Sequence, residues 1–592
     1  MRTRNIIAAA VAALICTVAN AIPASPVPFT AVQPDGTTIM LQRHGDEFFN
    51  WTTIAGTDQV VKQDQDGWWR PSTINPEARK NAIARRKAAN RTRPRTHTDN
   101  AMTHGERHIP VFLVQFTDVT FKTTDANAKF TALLNQEGYS ANGGTGSVRD
   151  FYFDNSDGQF IPVFDVYGPV DLPNNMAYYG KNDSDDNDTR PEEALIHAAK
   201  ALDAEADFSK YDYDNDGYVD MALFYYAGYN EAEGGPANSI WPHQWNLQYT
   251  SLGRSSIFDG KRFDAYFCTS ELSGSSGSNM CGIGTTCHEF AHSLGLPDFY
   301  DTDYNKNGSA GGLYYFSTMD SGAYLNDGRT PPYFNAEERI LLGWMTPGDV
   351  PQLPDGDVSF SSIRYSVAYT TPTEVEGEYF LYECRDGSGW DKYLPTGLVI
   401  YHVDKSTVRR VGGLTPYQQW ANWGSYNSIN AYGSHPCFYV IPAANTTSLN
   451  YTSYYLSDYV FPGRKNVKSY TPVDWNNNST DVVLSNISYS SQDKKVHLTA
   501  TYSNIPVSSF QDMGLNAIAD PGNGSYAAGD GFFPTLELAE GQNPVSVSWS
   551  YDGNGLSGNG EVTLTAGSHS IVAVLTFADG TKETLELVIE VK

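Results

Sequence analysis

His288-Glu289-Phe290-Ala291-His292-Ser293-Leu294-Gly295-Leu296-Pro297-Asp298 reads H-E-x-x-H-x-x-G-x-x-D. On a helix, His288 and His292 share one face and can grip a single zinc ion. Glu289 stands beside them and can work a water at the metal without ligating it. Gly295 lets the chain leave the helix sharply, and Asp298 can then return as a third ligand. The spacing predicts a helix over 282–294. Two histidines on a core helix have a plainer reading, a hydrogen-bonded structural pair, but the full pattern favours a metal.

The bulk of the chain sets the context. At 592 residues it exceeds one hydrophobic core, so several domains are expected. Gly, Tyr, Ser and Thr are abundant, which suggests much β structure and many turns. The net charge of −28 argues against nucleic acid or an anionic membrane as partner. It fits an extracellular protein that binds calcium through carboxylates. Arg2 and Arg4, an apolar stretch over 6–18 and Ala19-Asn20-Ala21 form a secretory-signal pattern, with the mature start expected at Ile22. Five cysteines remain beyond it, Cys268, Cys281, Cys287, Cys384 and Cys437, so at least one is free or pairs with another chain.

Five segments follow from the composition: a signal over 1–21, a propeptide with a basic linker over 22–107, a catalytic domain over 108–350, a β-rich domain over 351–504, and a small C-terminal β-sandwich over 505–592. Lys80, Arg85, Arg86, Lys87, Arg91 and Arg93 crowd the stretch 79–95. It reads either as a solvated helical linker or as a cleavable connector. Ile109-Pro110-Val111-Phe112-Leu113-Val114 has a buried-strand pattern, and Pro191 followed by Glu192 and Glu193 suits a helix start. In the tail, Ile571, Ala573 and Leu575 alternate, Asp579-Gly580 makes a turn, and Leu585, Leu587, Ile589 and Val591 alternate back.

The segment His288 to Asp298 with Phe299-Tyr300-Asp301 resembles the immune-inhibitor-A family of secreted bacterial zinc metalloproteases. So do Ser317-Thr318-Met319-Asp320-Ser321-Gly322, Pro332-Tyr333-Phe334-Asn335-Ala336-Glu337, Gly146-Ser147-Val148-Arg149-Asp150-Phe151-Tyr152 and Trp241-Pro242-His243. The likeness covers roughly residues 28–410. It implies a multidomain α+β protein with a zincin-like catalytic domain built on the motif helix, then a β-rich domain and an immunoglobulin-like sandwich. By position, His288, His292 and Asp298 would bind one zinc, Glu289 would be general base, and Met319 would lie beneath the site. Ser321 stands where many such enzymes carry a tyrosine, which leaves the oxyanion partner open; Tyr324 and His243 are the candidates.

Asp212-Tyr213-Asp214-Asn215-Asp216-Gly217-Tyr218-Val219-Asp220 has the spacing of a calcium loop. Asp212, Asp214, Asp216 and Asp220 would supply carboxylates and Tyr218 its carbonyl. Leu223 sits where an EF-hand would place its bidentate glutamate, so the loop is of another kind. Asp301, Asp303, Asn305 and Asn307 form a second, weaker cluster. Residues 22–107 contain no cysteine, which excludes a propeptide thiolate as the mask on the metal.

The reading is therefore a secreted, calcium-stabilised zinc endopeptidase, made with a signal and a propeptide, that acts on proteins or peptides. The alternative is a catalytically weak zincin-fold adhesin at the cell surface, disfavoured by the intact Glu289. An exopeptidase would need a site for a free terminus. The tail stays open to binding a surface or a glycan.

Overall fold

The computed structural model describes residues 22–46, 49–64, 66–76, 102–183, 187–247, 250, 252, 256–303 and 306–502. In the C-terminal part it describes 517–519, 526–529, 531–532, 535–538, 544–556, 562–578 and 581–592. The expected signal, the basic linker, Asn305 and the Asp579-Gly580 turn lie outside these residues. The chain divides into two compact units, Met1–Thr501 and Tyr502–Lys592.

The first unit begins with a five-stranded antiparallel meander. Its strands are β1 (Phe29–Val32), β2 (Thr38–Gly45), β3 (Asn50–Ile54), β4 (Val60–Gln63) and β5 (Trp69–Pro71). A larger mixed sheet follows, built from β6 (Gly105–Gln115), β7 (Phe160–Asp171), β8 (Ala222–Tyr229), β9 (His243–Asn246) and β10 (Ala265–Leu272). Its order is β9-β10-β8-β6-β7, parallel throughout except for the antiparallel edge strand β9.

Near-continuous apolar runs suit strands covered on both faces. In β6, Ile109, Val111 and Leu113 enter one core while Phe112 and Val114 enter another. The period of two thus places two cores on opposite faces of one sheet. The first face is covered by α1 (Ala126–Asn135), α2 (Val148–Asn155) and α4 (Gly284–Leu294), the second by α3 (Pro191–Leu202). Helix α2 is started by a capping box, with Ser147 accepting from the Asp150 N–H and the Asp150 carboxylate accepting from Ser147.

The core continues without a break across residue 350. Trp390 packs edge-on against Phe151 at 5.2 Å. Beyond it, β11 (Ala368–Pro372), β12 (Glu378–Arg385), β13 (Gly397–Asp404) and β14 (Phe438–Val440) form an antiparallel sheet in that order. Arg385 is fully buried at the join and donates to the Tyr333 carbonyl at 2.9 Å and to Asp391 Oδ1 at 3.0 Å. It also reaches Glu383 Oε2 at 2.9 Å and the Tyr401 hydroxyl at 3.0 Å. All five cysteines beyond the signal are buried and unpaired.

The second unit is all-β among the described residues. Strands β15 (Ser546–Tyr551), β16 (Gly567–Thr576) and β17 (Lys582–Val591) pair antiparallel, with Ile571 opposite Leu587 and Thr576 opposite Lys582. No helix among the described residues is long and apolar enough to cross a membrane.

Candidate metal centre

Helix α4 presents His288 and His292 on one face because they are one turn apart. A Cβ at Gly284 would lie 1.8 Å from the Ala323 carbonyl oxygen, so only glycine lets the helix start there. At the other end Gly295 has φ 115°, which L-residues avoid, and its N–H closes on the Ala291 and His292 carbonyls. The chain then turns back and carries Asp298 to the helix face.

The result is a triangle of donor atoms. His288 Nε2 and His292 Nε2 are 3.1 Å apart. Asp298 Oδ1 lies 3.2 Å from the first and 3.3 Å from the second. A tetrahedral zinc with bonds of about 2.0–2.1 Å holds its donors ~3.3 Å apart. Despite those distances Asp298 Oδ1 makes no hydrogen bond, so three donors face a common point instead of one another. The three side chains are buried. This donor set fits a single zinc ion.

Outer contacts fix each ligand. His288 Nδ1 is 2.8 Å from the Thr318 carbonyl, and His292 Nδ1 is 2.8 Å from the Leu296 carbonyl. Each carbonyl accepts a hydrogen bond from Nδ1–H, which fixes the tautomer that leaves the Nε2 lone pair for a metal. Met319, next to Thr318, is fully buried in the core beneath. Burial pushes the Asp298 carboxyl up, but the two imidazoles outweigh it and hold it well below the usual carboxylate range. Burial lowers the His288 imidazole, with the Asp298 contact opposing.

Asn427 was not legible in the sequence. It donates from Nδ2 to Asp298 Oδ2 at 2.5 Å and accepts from the Asp298 N–H at 3.2 Å. A lone asparagine in a loop carries no pattern that would single it out. Removing such a partner typically costs about 10–100-fold in metal affinity. We expect Asn427→Ala to lose zinc to a competing chelator at correspondingly lower chelator concentration, read by metal analysis after dialysis.

Glu289 is fully buried, and one carboxylate oxygen, Oε2, has no hydrogen-bond partner among the described residues. Its Oε1 accepts from the Ile22 backbone N–H at 2.7 Å. Burial drives its carboxyl well above the usual range, with the Ile22 N–H opposing and the Asp298 charge adding. Tyr324 donates its hydroxyl to the Pro23 carbonyl at 2.6 Å. His243 does not join this site. Its Nδ1 faces the Trp241 carbonyl at 2.7 Å and its Nε2 the Tyr266 hydroxyl at 2.9 Å. Burial lowers its pKa to about 4.

Below the turn at Met319, Glu338 is buried, and burial raises its pKa to about 8 against donations from Ser317 and the Asn335 N–H. The ordinary value is 4.5. The folded state therefore holds a proton that the unfolded chain releases between these values. Stability from this group is fully present below the ordinary value and is lost as pH rises through about 8. We expect Glu338→Gln to flatten that decline in thermal scans run between about pH 5 and pH 9.

Of the calcium candidates, the structure brings Asp212, Asp214 and Asp216 together. Asp212 accepts from the Asp216 and Gly217 N–H groups, both at 3.0 Å, and Lys261 Nζ lies 2.6 Å from its Oδ2. Burial pushes Asp212 up, but Lys261 outweighs it and the carboxyl falls below its usual range. Tyr218 donates its N–H to Asp216, and Asp220 accepts from the Tyr213 N–H at 2.8 Å. In the second cluster Asp303 donates its N–H to Asp301, and Asn307 donates to Asp303. Burial, then the charge of Asp303, raises Asp301 to about 7.

Residues 112–341 match the model described as immune inhibitor A peptidase M6, catalytic domain. Over that stretch the chain is similar to the M6 peptidase catalytic domain. Pre-pro-metalloprotease PrtV of Vibrio cholerae is 29% identical over 239 residues, 36% of this chain and 25% of that protein. Immune inhibitor A of Bacillus thuringiensis subsp. alesti is 26% identical over 221 residues, 33% of this chain and 31% of that protein. The match thus spans about a quarter to a third of the length of the curated relatives. OgpA from Akkermansia muciniphila aligns over 84% of this chain and 98% of its own at 10% identity, with a TM-score of 0.22, which carries no argument.

Proposed function

We propose that the chain is a secreted zinc endopeptidase, made as a preproprotein and stabilised by calcium. The observation that carries this is the donor triangle of His288, His292 and Asp298, set at zinc spacing beside a buried Glu289 with one free oxygen. A bound zinc would polarise the scissile carbonyl and acidify a water beside Glu289. Glu289 takes the proton from that water as it attacks the carbonyl carbon, then hands it to the departing nitrogen.

The structure also supports latency. The Ile22 N–H bonds to Glu289 Oε1 and residues 22–25 run on past Trp241 and Tyr324, which sets a chain segment where a substrate nitrogen would meet the base. If the signal is cut after Ala21, this group becomes a free amine next to a carboxylate and three metal ligands. Cutting within 79–95 would then release the segment. The acidic loop at Asp212, Asp214 and Asp216 and the Asp301–Asp303 pair are the calcium candidates, since a cation would relieve their mutual repulsion. We assign the catalytic domain a zincin-like fold and the tail an immunoglobulin-like sandwich.

The test is casein cleavage by the matured protein, with metal content measured alongside. Loss of activity on treatment with a zinc chelator, restored by zinc, is expected. Absence of cleavage after propeptide removal, or indifference to the chelator, overturns the reading.

A further inference from the structure

Residues 22–25 run from Glu289 past Trp241, Tyr324 and Ala232 in one chain direction, and this bears on where a substrate's residues would go. The inference rests on the peptidase reading. Glu289 must protonate the nitrogen that leaves. The backbone nitrogen at Glu289 Oε1, 2.7 Å away, belongs to Ile22. Ile22 therefore stands where the first residue after the scissile bond would stand, and Pro23 to Ser25 run on along the leaving-group side.

Main-chain contacts along this path need no particular side chain. Trp241 Nε1 donates to the Ile22 carbonyl at 3.1 Å. Tyr324 donates its hydroxyl to the Pro23 carbonyl at 2.6 Å. The Ser25 N–H donates to the Ala232 carbonyl at 3.0 Å. Any peptide of this polarity could make these bonds. The Ile22 side chain is different: it is fully buried in a cluster with Ala232, Trp241 and Ala323. These walls offer alkyl and indole surface, and the two alanines leave the depth that a branched aliphatic chain fills.

We propose that Ala232, Trp241 and Ala323 form the pocket that selects the residue after the scissile bond, and that it takes a branched aliphatic side chain. Trp241 and Tyr324 hold the peptide's main chain at the two positions that follow the cut. An acidic residue in the pocket would lose its water without gaining a partner. A missing methylene in such a pocket is worth about 10–200-fold. Cleavage before Ile, Val or Leu should therefore exceed cleavage before Gly or Asp by about 10-fold or more.

The matured protein is given a peptide library randomised around one position, and cut sites are read by mass spectrometry. The pocket predicts a dominance of Ile, Val and Leu immediately after the cut. Ala323→Leu, which fills the pocket, should move the ratio of Ala to Ile at that position by about 10-fold or more toward Ala. Ala232→Val serves as a second, milder filling should Ala323→Leu fold poorly. A native profile without preference at that position overturns the assignment. So does an unchanged ratio in a folded, active variant. No cleavage by the native protein is a separate result and counts against the peptidase reading itself.

Discussion

Replacing Glu289 with Gln should lower kcat/KM on a peptide substrate by about 100- to 10,000-fold, the range that a positioned acid–base group supplies. Zinc content should stay near that of the native protein, because Glu289 is not among the three donors that face the common point. Gln keeps an oxygen that can still accept from the Ile22 N–H, so the fold around the base should persist. The two readouts separate roles. Loss of zinc with loss of activity would make Glu289 a ligand. Retained activity would remove it from the chemistry altogether.

The second large effect concerns stability. Arg385→Met should cost the first unit about 3–5 kcal/mol, the range for removing one partner of a buried ion group. Arg385 has no exposed surface, and Glu383 and Asp391 beside it are equally buried. Without the guanidinium, two carboxylates share a dry site, with Arg339 the cation left to offset Glu383. The same guanidinium holds the Tyr333 carbonyl, while Glu383 accepts from the Ala336 N–H at 2.6 Å. The strand β12 thereby grips the segment that closes the catalytic region. Chemical denaturation of native and variant protein, followed by tryptophan fluorescence, measures the loss; a change below about 1 kcal/mol would deny the cluster this role.

Much of the candidate site was legible because its information is local. His288 and His292 are tied by helical period, Glu289 by adjacency, and Asp298 by a turn that Gly295 marks. The sheet strands were legible for the same reason, since apolar runs such as Ile109 to Val114 have one comfortable place in a fold. What escaped was non-local. Asn427 reaches Asp298 from a loop 129 residues away. The path of residues 22–25 through the cleft depends on tertiary contacts with Trp241 and Tyr324 that no spacing encodes. Tyr324, one of the two oxyanion candidates, donates to a carbonyl of the N-terminal segment. His243, the other, has Trp241 and Tyr266 as its nitrogen partners. The boundary expected at 350 is a matter of long-range packing as well, since Trp390 and Phe151 share one core across it.

The clasp between Asp298 and Asn427 has a temporal consequence. A ribosome releases His288, His292 and Asp298 well before Asn427, which follows 129 residues later. During that interval Asp298 has neither its oxygen nor its N–H held by Asn427. The clasp on the candidate third ligand thus closes only after the downstream β-rich block has been made and has folded back.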